Sequence, residues 1–326
     1  MHVAFLGLGA IGAPMARHLA GPPFTLAVWN RTRATADRFS ASLAAPAAAR
    51  VAEMPADAAR GAAVVVTCLP TSREVEALLD GADGLLDGLA PGTVLVDCTS
   101  GDPDGSRRIA ARLGERGVAF LDAPVSGGTI GAERGTLTVM VGGDAAVLER
   151  VRPVLAAFGA KIVHAGPVGA GDALKAVNNA LLAVHVWSTG EGLAALEKAG
   201  VHADAALAVI NASSGRSNSS ENLFPDRVLT RAFPRTFRLA LLAKDAGIAA
   251  DFVREQGVDA PLITRAAELF RDARAALGEE ADHVEAVRVI EAQAGVTIGG
   301  AGPHAADAGE AETPEEQATD TLEQPL

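Results

Sequence analysis

Short apolar runs alternate with amphipathic stretches through the first half of the chain. The runs are rich in β-branched residues and are bounded by glycine, proline or polar clusters, as buried strands are. They predict strands at 2–8, 24–30, 62–70, 93–100, 118–125, 135–143 and 161–166. Strands that alternate with helices form a mostly parallel, doubly wound α/β sheet. We therefore predict an α/β domain over residues 1–165.

The pattern changes after residue 165, where the strand-like runs stop. Residues 169–200 predict one long helix of about 28 residues, which spans about 40 Å at 1.5 Å per residue. Further helical stretches follow at 203–213, 219–230, 238–257, 261–278 and 281–293. We predict an all-α C-terminal domain over residues 166–296, joined to the first domain by this long interdomain helix.

The first predicted strand ends in a glycine-rich turn, Gly7-Leu8-Gly9-Ala10-Ile11-Gly12, which matches G-x-G-x-x-G between a strand and a helix. Such glycines permit a tight turn, close approach to a pyrophosphate and close packing of the helix on the strand. The helix N-terminus then offers free N–H groups to the phosphates. We predict that these six residues bind a dinucleotide; a purely structural glycine turn is the alternative.

The end of the second strand should select the cofactor. An NAD site carries Asp or Glu there, whereas this chain has Asn30-Arg31-Thr32. Arg31 can pair with a 2′-phosphate, and Asn30 and Thr32 offer neutral hydrogen bonds. The sequence therefore favours NADP, with use of NAD left open.

Further cofactor contacts should come from the carboxyl edge of the sheet, where ligands of doubly wound folds bind. The predicted contacts are Leu69, Pro70, Glu74, Thr99 and Ser100. Glu74 also completes a capping box with Thr71 at the start of a predicted helix. Thr99 and Ser100 have an alternative role as caps of the helix that begins near Asp102.

Two stretches carry candidate chemistry. The N–H groups of Gly127 and Gly128, with the Ser126 hydroxyl, can form a nest for a carboxylate, although a β-bulge or turn is the alternative. Lys175 and Asn179 are four residues apart and share one face of the long helix. The apolar neighbours of Lys175 predict a desolvated amine with a lowered pKa, suited to proton transfer near neutral pH.

Two further polar features are left open. Asp172 lies one turn before Lys175 and either tunes it or faces solvent. The polar segment 211–225, with several serines and Arg216, either serves a carboxylated substrate or caps two helices.

Four blocks resemble the signatures of the β-hydroxyacid dehydrogenase family: "GLGAIGAPMARHL", "DAPVSGGTIGAERGTLTVMVGG", "GPVGAGDALKAVNNALL" and "LLAKDAGIA". They occur in the family's order and cover roughly residues 2 to 290. The resemblance implies a Rossmann domain, an all-α domain on a long interdomain helix, and a homodimer or homotetramer. It also implies roles for site residues: Ser126, Gly127 and Gly128 hold the substrate carboxylate, Lys175 is catalytic, Asn179 fixes substrate and Lys244 lies against the cofactor.

The resemblance implies an NAD(P)-dependent oxidoreductase, and we expect a 3-hydroxyacid dehydrogenase with 3-hydroxyisobutyrate as the first substrate. Reduction of glyoxylate, succinate semialdehyde or tartronate semialdehyde is the alternative within the class. The decarboxylating branch carries Glu seven positions after the catalytic Lys, but this chain has Leu182, which disfavours 6-phosphogluconate. A non-catalytic dinucleotide-binding module is the alternative of another class.

Composition and charge limit the partners, the cellular compartment and the metal sites that we expect. The net charge of −12 argues against a nucleic-acid partner, and much of it comes from seven acids after residue 300, so we expect a disordered acidic tail over 297–326. No apolar stretch is long enough to span a membrane, and the first residues lack the pattern of a signal peptide. Two cysteines suit a reducing compartment, so we expect a cytoplasmic protein. The histidines show no metal-ligand spacing.

Overall fold

The computed structural model describes residues 1–299 of the chain. The sheet of this part consists of β1 (His2–Leu6), β2 (Thr25–Trp29), β3 (Ala49–Val51), β4 (Val64–Thr67), β5 (Val94–Asp97), β6 (Ala119–Asp122), β7 (Val125–Ser126), β8 (Leu137–Gly142) and β9 (Gly159–Gly166). Its helices are α1 (Gly12–Arg17), α2 (Arg33–Ala41), α3 (Pro55–Ala59), α4 (Ser72–Leu79), α5 (Leu85–Gly88), α6 (Pro103–Gly114), α7 (Gly128–Arg134) and α8 (Ala145–Leu155). The C-terminal helices are α9 (Ala170–Lys198), α10 (Ala203–Asn211), α11 (Leu239–Glu255), α12 (Pro261–Leu277) and α13 (Val287–Ala294), with a π-helix at Ser219–Leu229 and a 3₁₀ turn at His283–Ala286.

The sheet is mostly parallel. Its first six strands run parallel in the order β3-β2-β1-β4-β5-β6. β8 is antiparallel to β6 and to the short β7, and β9 pairs with β8 in parallel. The strand order reverses between β1 and β4, and a crevice for ligands forms outside the carboxyl ends of strands at such a point. The predicted doubly wound α/β fold is confirmed.

The long helix predicted over residues 169–200 is confirmed as α9, which has 29 residues. It begins after Gly169, whose φ of 91° turns the chain sharply out of the sheet domain. A run of alanine and leucine favours the helix locally, and twelve of its residues are buried. The helix therefore leads from the sheet into the helical domain without a break.

The sheet domain and the helical domain, which α9 connects, have separate hydrophobic cores. Phe5 and Phe158 belong to the core on one face of the sheet, and Leu95 and Ile109 to the core on the other. The helical core surrounds Trp187, which meets Phe270 edge-on. These separate cores support a boundary between the two domains near residue 165, and the exact boundary stays a prediction.

Several elements differ from the sequence-based expectation. The glycine-rich stretch after Ser126 is not only a turn, because it contains the helix α7. The short elements β3 and α3 were not predicted, because three to five residues carry too little periodicity. Ile298 is fully buried, so the packing of the helical domain continues two residues past residue 296, where the sequence predicts that this domain ends. The remainder of the predicted tail lies outside the described residues.

Candidate active site

The glycine turn connects β1 to α1, and each of its glycines has a different constraint. A Cβ on Gly7 would lie 2.3 Å from the Cys68 carbonyl oxygen, and one on Gly12 would lie 2.0 Å from the Gly7 oxygen. A Cβ on Gly9, in contrast, would meet no atom within 4 Å. Gly7 and Gly12 therefore close the turn, and Gly9 leaves an open space beside it. This arrangement fits a nicotinamide dinucleotide, whose pyrophosphate needs close access to the turn.

The end of β2 is tied to this turn. Asn30 Oδ1 accepts a hydrogen bond of 3.0 Å from the N–H of Leu8, and its Nδ2 donates to the Thr32 carbonyl at 3.1 Å. The side-chain oxygen predicted to meet the cofactor thus already shapes the glycine turn. Arg31 is exposed, and no ion pair to it occurs among residues 1–299. Arg33 instead pairs with Asp37 and Glu53. Arg31 is therefore the cation that we expect to pair with a 2′-phosphate.

At the carboxyl edge of the sheet, Thr99 joins two neighbouring segments, and its contact with the cofactor stays a prediction. Its hydroxyl accepts a hydrogen bond of 3.0 Å from the N–H of Leu69, and its own N–H donates to the buried Asp97 Oδ1 at 3.0 Å. The Thr99 residue is 1% exposed and connects the segments that follow β4 and β5. Burial raises the pKa of Asp97 to about 6, although its bonds to Thr99 and Thr67 oppose that rise.

The expected capping roles at this edge are also revised. Asp102, not Thr99 or Ser100, caps α6, because its Oδ1 accepts the N–H of Gly105 at 2.6 Å. Thr71 caps α4 by accepting the N–H of Arg73, and its hydroxyl donates to the Glu74 carboxylate. The hydrogen bonds of the described residues do not include one from the Thr71 N–H to Glu74, so the cap is confirmed but the reciprocal capping box is not. Glu74 is therefore held by the cap, and its contact with the cofactor stays a prediction.

Ser126, Gly127 and Gly128 form the junction between β7 and α7. Gly127 has φ of 135° and Gly128 has φ of 63°, conformations that favour glycine at both positions. The first N–H groups of α7 lack intrahelical acceptors and can receive an anion. In residues 1–299 no hydrogen bond joins this turn to Lys175 or Asn179, so its carboxylate role stays a prediction.

Lys175 is 9% exposed on the face of α9 that packs toward α11. Burial lowers the pKa of its amine; Asp245 opposes this shift and Lys244 adds to it. The apolar neighbours of Lys175 contribute unequally to this burial, because Ala176 and Ala180 are buried whereas Leu174 and Leu181 are 43% and 47% exposed. Within the described chain Lys175 has no ion-pair partner, so its amine is available to a substrate.

Asp245 is the residue that sequence reasoning missed. Its Oδ2 accepts a hydrogen bond of 2.6 Å from Asn179 Nδ2, and its Oδ1 lies 3.1 Å from Lys244 Nζ. Lys244 Nζ also donates to the carbonyl oxygens of Pro70, at 3.2 Å, and Ser100. One network therefore links the helix that carries Lys175 to the cofactor edge of the sheet. The only signal for it was the pair "KD" in the last sequence block.

The remaining open features are resolved by their contacts. Asp172 is buried and bonded to Gly101 and Ser106, so it does not face solvent. In the polar segment, Ser217 and Ser220 cap each other's N–H groups, at 3.1 Å and 2.8 Å. Arg216 is exposed beside Glu221. The capping interpretation of this segment is therefore the one that its serines fit.

Two absences concern the described residues alone. Residues 1–299 contain no helix that is long and apolar enough to cross a membrane. Over the same range, no group of three or more His, Cys, Asp or Glu side chains is arranged to hold a metal ion.

Comparison with known proteins places the chain in a family. Residues 2–166 match the model of the NAD binding domain of 6-phosphogluconate dehydrogenase, and residues 169–290 match the NAD-binding model of NADP-dependent 3-hydroxyisobutyrate dehydrogenase. An NAD-dependent L-serine dehydrogenase of Pseudomonas aeruginosa is 41% identical over 82% of this chain and 91% of its own. A 2-(hydroxymethyl)glutarate dehydrogenase of Eubacterium barkeri is 37% identical over 91% of this chain and 97% of its own.

A solved structure agrees with these relatives. It is the Mycobacterium tuberculosis 3-hydroxyisobutyrate dehydrogenase with L-serine, which has a TM-score of 0.80 and 32% identity and covers 89% of this chain and 98% of its own. The matched models and relatives confirm a nicotinamide dinucleotide cofactor and an oxidoreductase that acts on hydroxy acids. The chain therefore belongs to the β-hydroxyacid dehydrogenase family, among the proteins related to 3-hydroxyisobutyrate dehydrogenase.

Proposed function

We propose that this protein is an NADP-preferring dehydrogenase of short 3-hydroxy acids, with 3-hydroxyisobutyrate as the first candidate substrate. The observation that carries the proposal is Lys175, a buried amine on the helix that leaves the cofactor domain, beside the network of Asn179, Asp245 and Lys244. Burial there lowers the pKa of the Lys175 amine, which makes the exchange of protons required of a general base or acid easier.

The proton steps follow from the state of Lys175. When the hydroxy acid is oxidised, the neutral amine accepts the hydroxyl proton as that group becomes a carbonyl. When the aldehyde is reduced, the protonated amine polarises the carbonyl and donates the proton back. The bound nicotinamide supplies the hydride acceptor or donor. Asn179 uses one amide N–H on Asp245 and has a second for a substrate oxygen.

The substrate carboxylate is proposed to bind at Ser126, Gly127 and Gly128. Supporting this proposal, Gly127 and Gly128 both have positive φ and precede the free N–H groups at the start of α7, and successive N–H groups in such a turn can form a nest for an anion. A carboxylate held there fixes the position of the hydroxyl carbon two bonds away. The substrate class is thus short acids with a hydroxyl near the carboxylate.

Cofactor choice rests on Arg31. It is the exposed cation after β2, and the acidic residue that binds the ribose hydroxyls of NAD is replaced by Asn30. The L-serine dehydrogenase at 41% identity is named NAD-dependent, whereas the second matched model is named for an NADP-dependent enzyme. We propose a preference for NADP and measurable use of NAD.

A second candidate substrate is L-serine, itself a 3-hydroxy acid. It is favoured by the relative named L-serine dehydrogenase and by the solved structure that contains L-serine. Reduction of tartronate semialdehyde, succinate semialdehyde or glyoxylate belongs to the same chemistry. Oxidative decarboxylation does not, because Leu182 packs against the helical core where a second acid is needed.

The test is a substrate panel assayed with NADP and with NAD, in which kcat/KM is compared for 3-hydroxyisobutyrate, L-serine, glycerate, 4-hydroxybutyrate and glycolate. 6-Phosphogluconate is the negative control. We expect the highest kcat/KM for a 3-hydroxy acid with NADP, and none for 6-phosphogluconate. Binding of NADPH without oxidation of any acid would instead identify a non-catalytic module. Light scattering of the same sample tests the proposed homodimer or homotetramer.

A further inference from the structure

One peptide unit at the cofactor edge is held at both of its polar ends. The carbonyl oxygen of Ser100 accepts a hydrogen bond from Lys244 Nζ. The N–H of Gly101, the other end of the same peptide, donates to Asp172 Oδ1 at 3.1 Å. A cation from α11 and a carboxyl from α9 therefore fix the orientation of a single peptide in the loop between β5 and α6.

Asp172, on α9, packs closely against this loop and against α6. It is 1% exposed, and its Oδ2 accepts a hydrogen bond of 2.6 Å from the hydroxyl of Ser106 on α6. A Cβ on Gly101 would lie 2.4 Å from Ser72 Oγ and 3.2 Å from Asp172 Oδ2. The loop is thus packed directly against the carboxyl, with no room for another side chain between them.

The helix that carries Asp172 is itself anchored to the sheet. Asp122, at the end of β6, accepts the N–H of Gly169 at 2.8 Å and that of Asp172 at 3.1 Å. Lys175 follows Asp172 by three residues on the same helix, so the two side chains have a fixed spacing. Asp172 is therefore a rigid link between the Ser100–Gly101 peptide and the start of the helix that presents Lys175.

This link has an energetic cost. Burial raises the pKa of Asp172 well above its usual value, and the neighbouring carboxyls of Asp122 and Asp97 raise it further. A neutral side chain at this position would avoid that penalty. The two hydrogen bonds of Asp172 offset part of it, and they order the loop after β5. In the strand order, β5 lies on the opposite side of β1 from β2, whose end is the expected 2′-phosphate site, so this loop is on the expected nicotinamide side of the cofactor.

We propose that Asp172 is a positioning residue, which acts through the Ser100–Gly101 peptide to fix the nicotinamide-facing loop relative to Lys175. This inference rests on the proposed function, because it assumes that Lys175 and the nicotinamide meet the same substrate. Lys244 holds the opposite end of the peptide. Loss of either partner lets the peptide rotate and changes the surface presented to the cofactor.

Three variants separate this role from general stability. Asp172→Ala removes both acceptors, Asp172→Asn keeps an oxygen for the Gly101 N–H, and Ser106→Ala removes one bond to the carboxyl. Glu291→Ala is the matched control, because Glu291 is also a buried acid, but it bonds Arg231 and the Ile298 N–H far along the helical domain. It should lower thermal stability and leave nucleotide binding unchanged.

Binding is measured by fluorescence titration with NADPH and with adenosine 2′,5′-bisphosphate, which lacks the nicotinamide half. Asp172→Ala should bind NADPH about tenfold more weakly, the effect of a lost buried hydrogen bond, and should bind the bisphosphate like the parent. Asp172→Asn should remain within about threefold of the parent, and Ser106→Ala should fall between the two. In Asp172→Ala, kcat should drop by about 100-fold, as misplaced reacting groups predict.

The outcomes divide clearly. Unchanged NADPH binding and kcat in Asp172→Ala would overturn the proposal, as would an equal loss for both nucleotides, which indicates general damage. If Asp172→Ala does not fold, the other two variants decide. Parent-like NADPH binding and kcat in Ser106→Ala would overturn the proposal, as would a loss of NADPH binding in Asp172→Asn. Binding needs no substrate, so a wrong substrate assignment leaves these results intact. A parent chain that did not bind NADPH would refute the proposed function and this inference together.

Discussion

Gly9 is the position in the glycine turn where a side chain should cost the fold least and nucleotide binding most. A Cβ there meets no atom within 4 Å, whereas Cβ atoms on Gly7 and Gly12 would lie 2.3 Å and 2.0 Å from carbonyl oxygens. We expect a pyrophosphate to approach the turn through this open space. We therefore expect Gly9→Ala to fold like the parent and to lose affinity for the cofactor.

The size of each effect follows from this geometry. A methyl group in the open space holds the phosphate away from the N–H donors, and one hydrogen bond to a charged group is worth about 1.5–3 kcal/mol. The Kd for NADPH should therefore rise roughly 10- to 150-fold. The free energy of unfolding should stay equal or rise by about 0.4–1 kcal/mol, because alanine restricts the unfolded chain and Gly9 does not need a positive φ.

The assay combines a fluorescence titration of NADPH with thermal unfolding. Gly192→Ala is the matched control: Gly192 lies in α9, a Cβ there also meets no atom within 4 Å, and the site is far along the helix from the glycine turn. It should raise stability and leave the Kd unchanged. Gly12→Ala should lower stability as well as binding. A parent-like Kd in Gly9→Ala would refute the placement of the pyrophosphate.

Three further substitutions test separate parts of the site. Arg31→Asp should shift the ratio of kcat/KM for NADP and NAD toward NAD by at least about tenfold, because a cation that pairs with the 2′-phosphate becomes an anion that repels it; an unchanged ratio would remove Arg31 from the cofactor site. Asp245→Asn deletes the anion that favours charged Lys175, so the pKa of Lys175 should fall further and the acid-side limb of oxidation, where kcat/KM rises with pH as Lys175 loses its proton, should move to lower pH; a move to higher pH would contradict the network. Asp97→Asn concerns stability: burial raises the pKa of Asp97 to about 6 in the folded chain, so its protonated form stabilises the fold and that contribution is lost as pH rises from about 4 to about 6. Denaturant unfolding across this range should show a decline in the parent that is absent in Asp97→Asn, and an equal decline in both would exclude Asp97 as its source.

The sequence was sufficient for the elements with strong local patterns. β4 (Val64–Thr67) is buried along its whole length, and its apolar, β-branched composition indicates this directly. Helix α7 could not be predicted in the same way, because glycine is a poor helix former. It forms because Gly127, with φ of 135°, turns the chain into it and Gly135, with φ of 67°, ends it. Those backbone angles depend on packing against β8, which local patterns do not report.

In the candidate site, too, local patterns predict some contacts and not others. The spacing of Lys175 and Asn179 alone predicts that they share a helix face. Asp245 could not be placed beside them, because 66 residues separate it from Asn179 and only the packing of α9 on α11 brings the two together. The sequence predicts a cofactor contact for Thr99, but it does not reveal the bond between its hydroxyl and the N–H of Leu69, which depends on the pairing of β4 with β5. Local chemistry was predictable, and contacts between distant elements were not.

The central claim is that Lys175 transfers the substrate proton. The direct test is kcat/KM for the best 3-hydroxy acid in Lys175→Ala, with Lys161→Ala as a control because Lys161 is an exposed lysine of β9. The Kd for NADPH is measured in both variants, so that loss of the cofactor is distinguished from loss of chemistry. We predict a decrease of about 10²–10⁴-fold in Lys175→Ala with NADPH still bound, and parent-like activity in Lys161→Ala. Parent-like activity in Lys175→Ala would contradict the account.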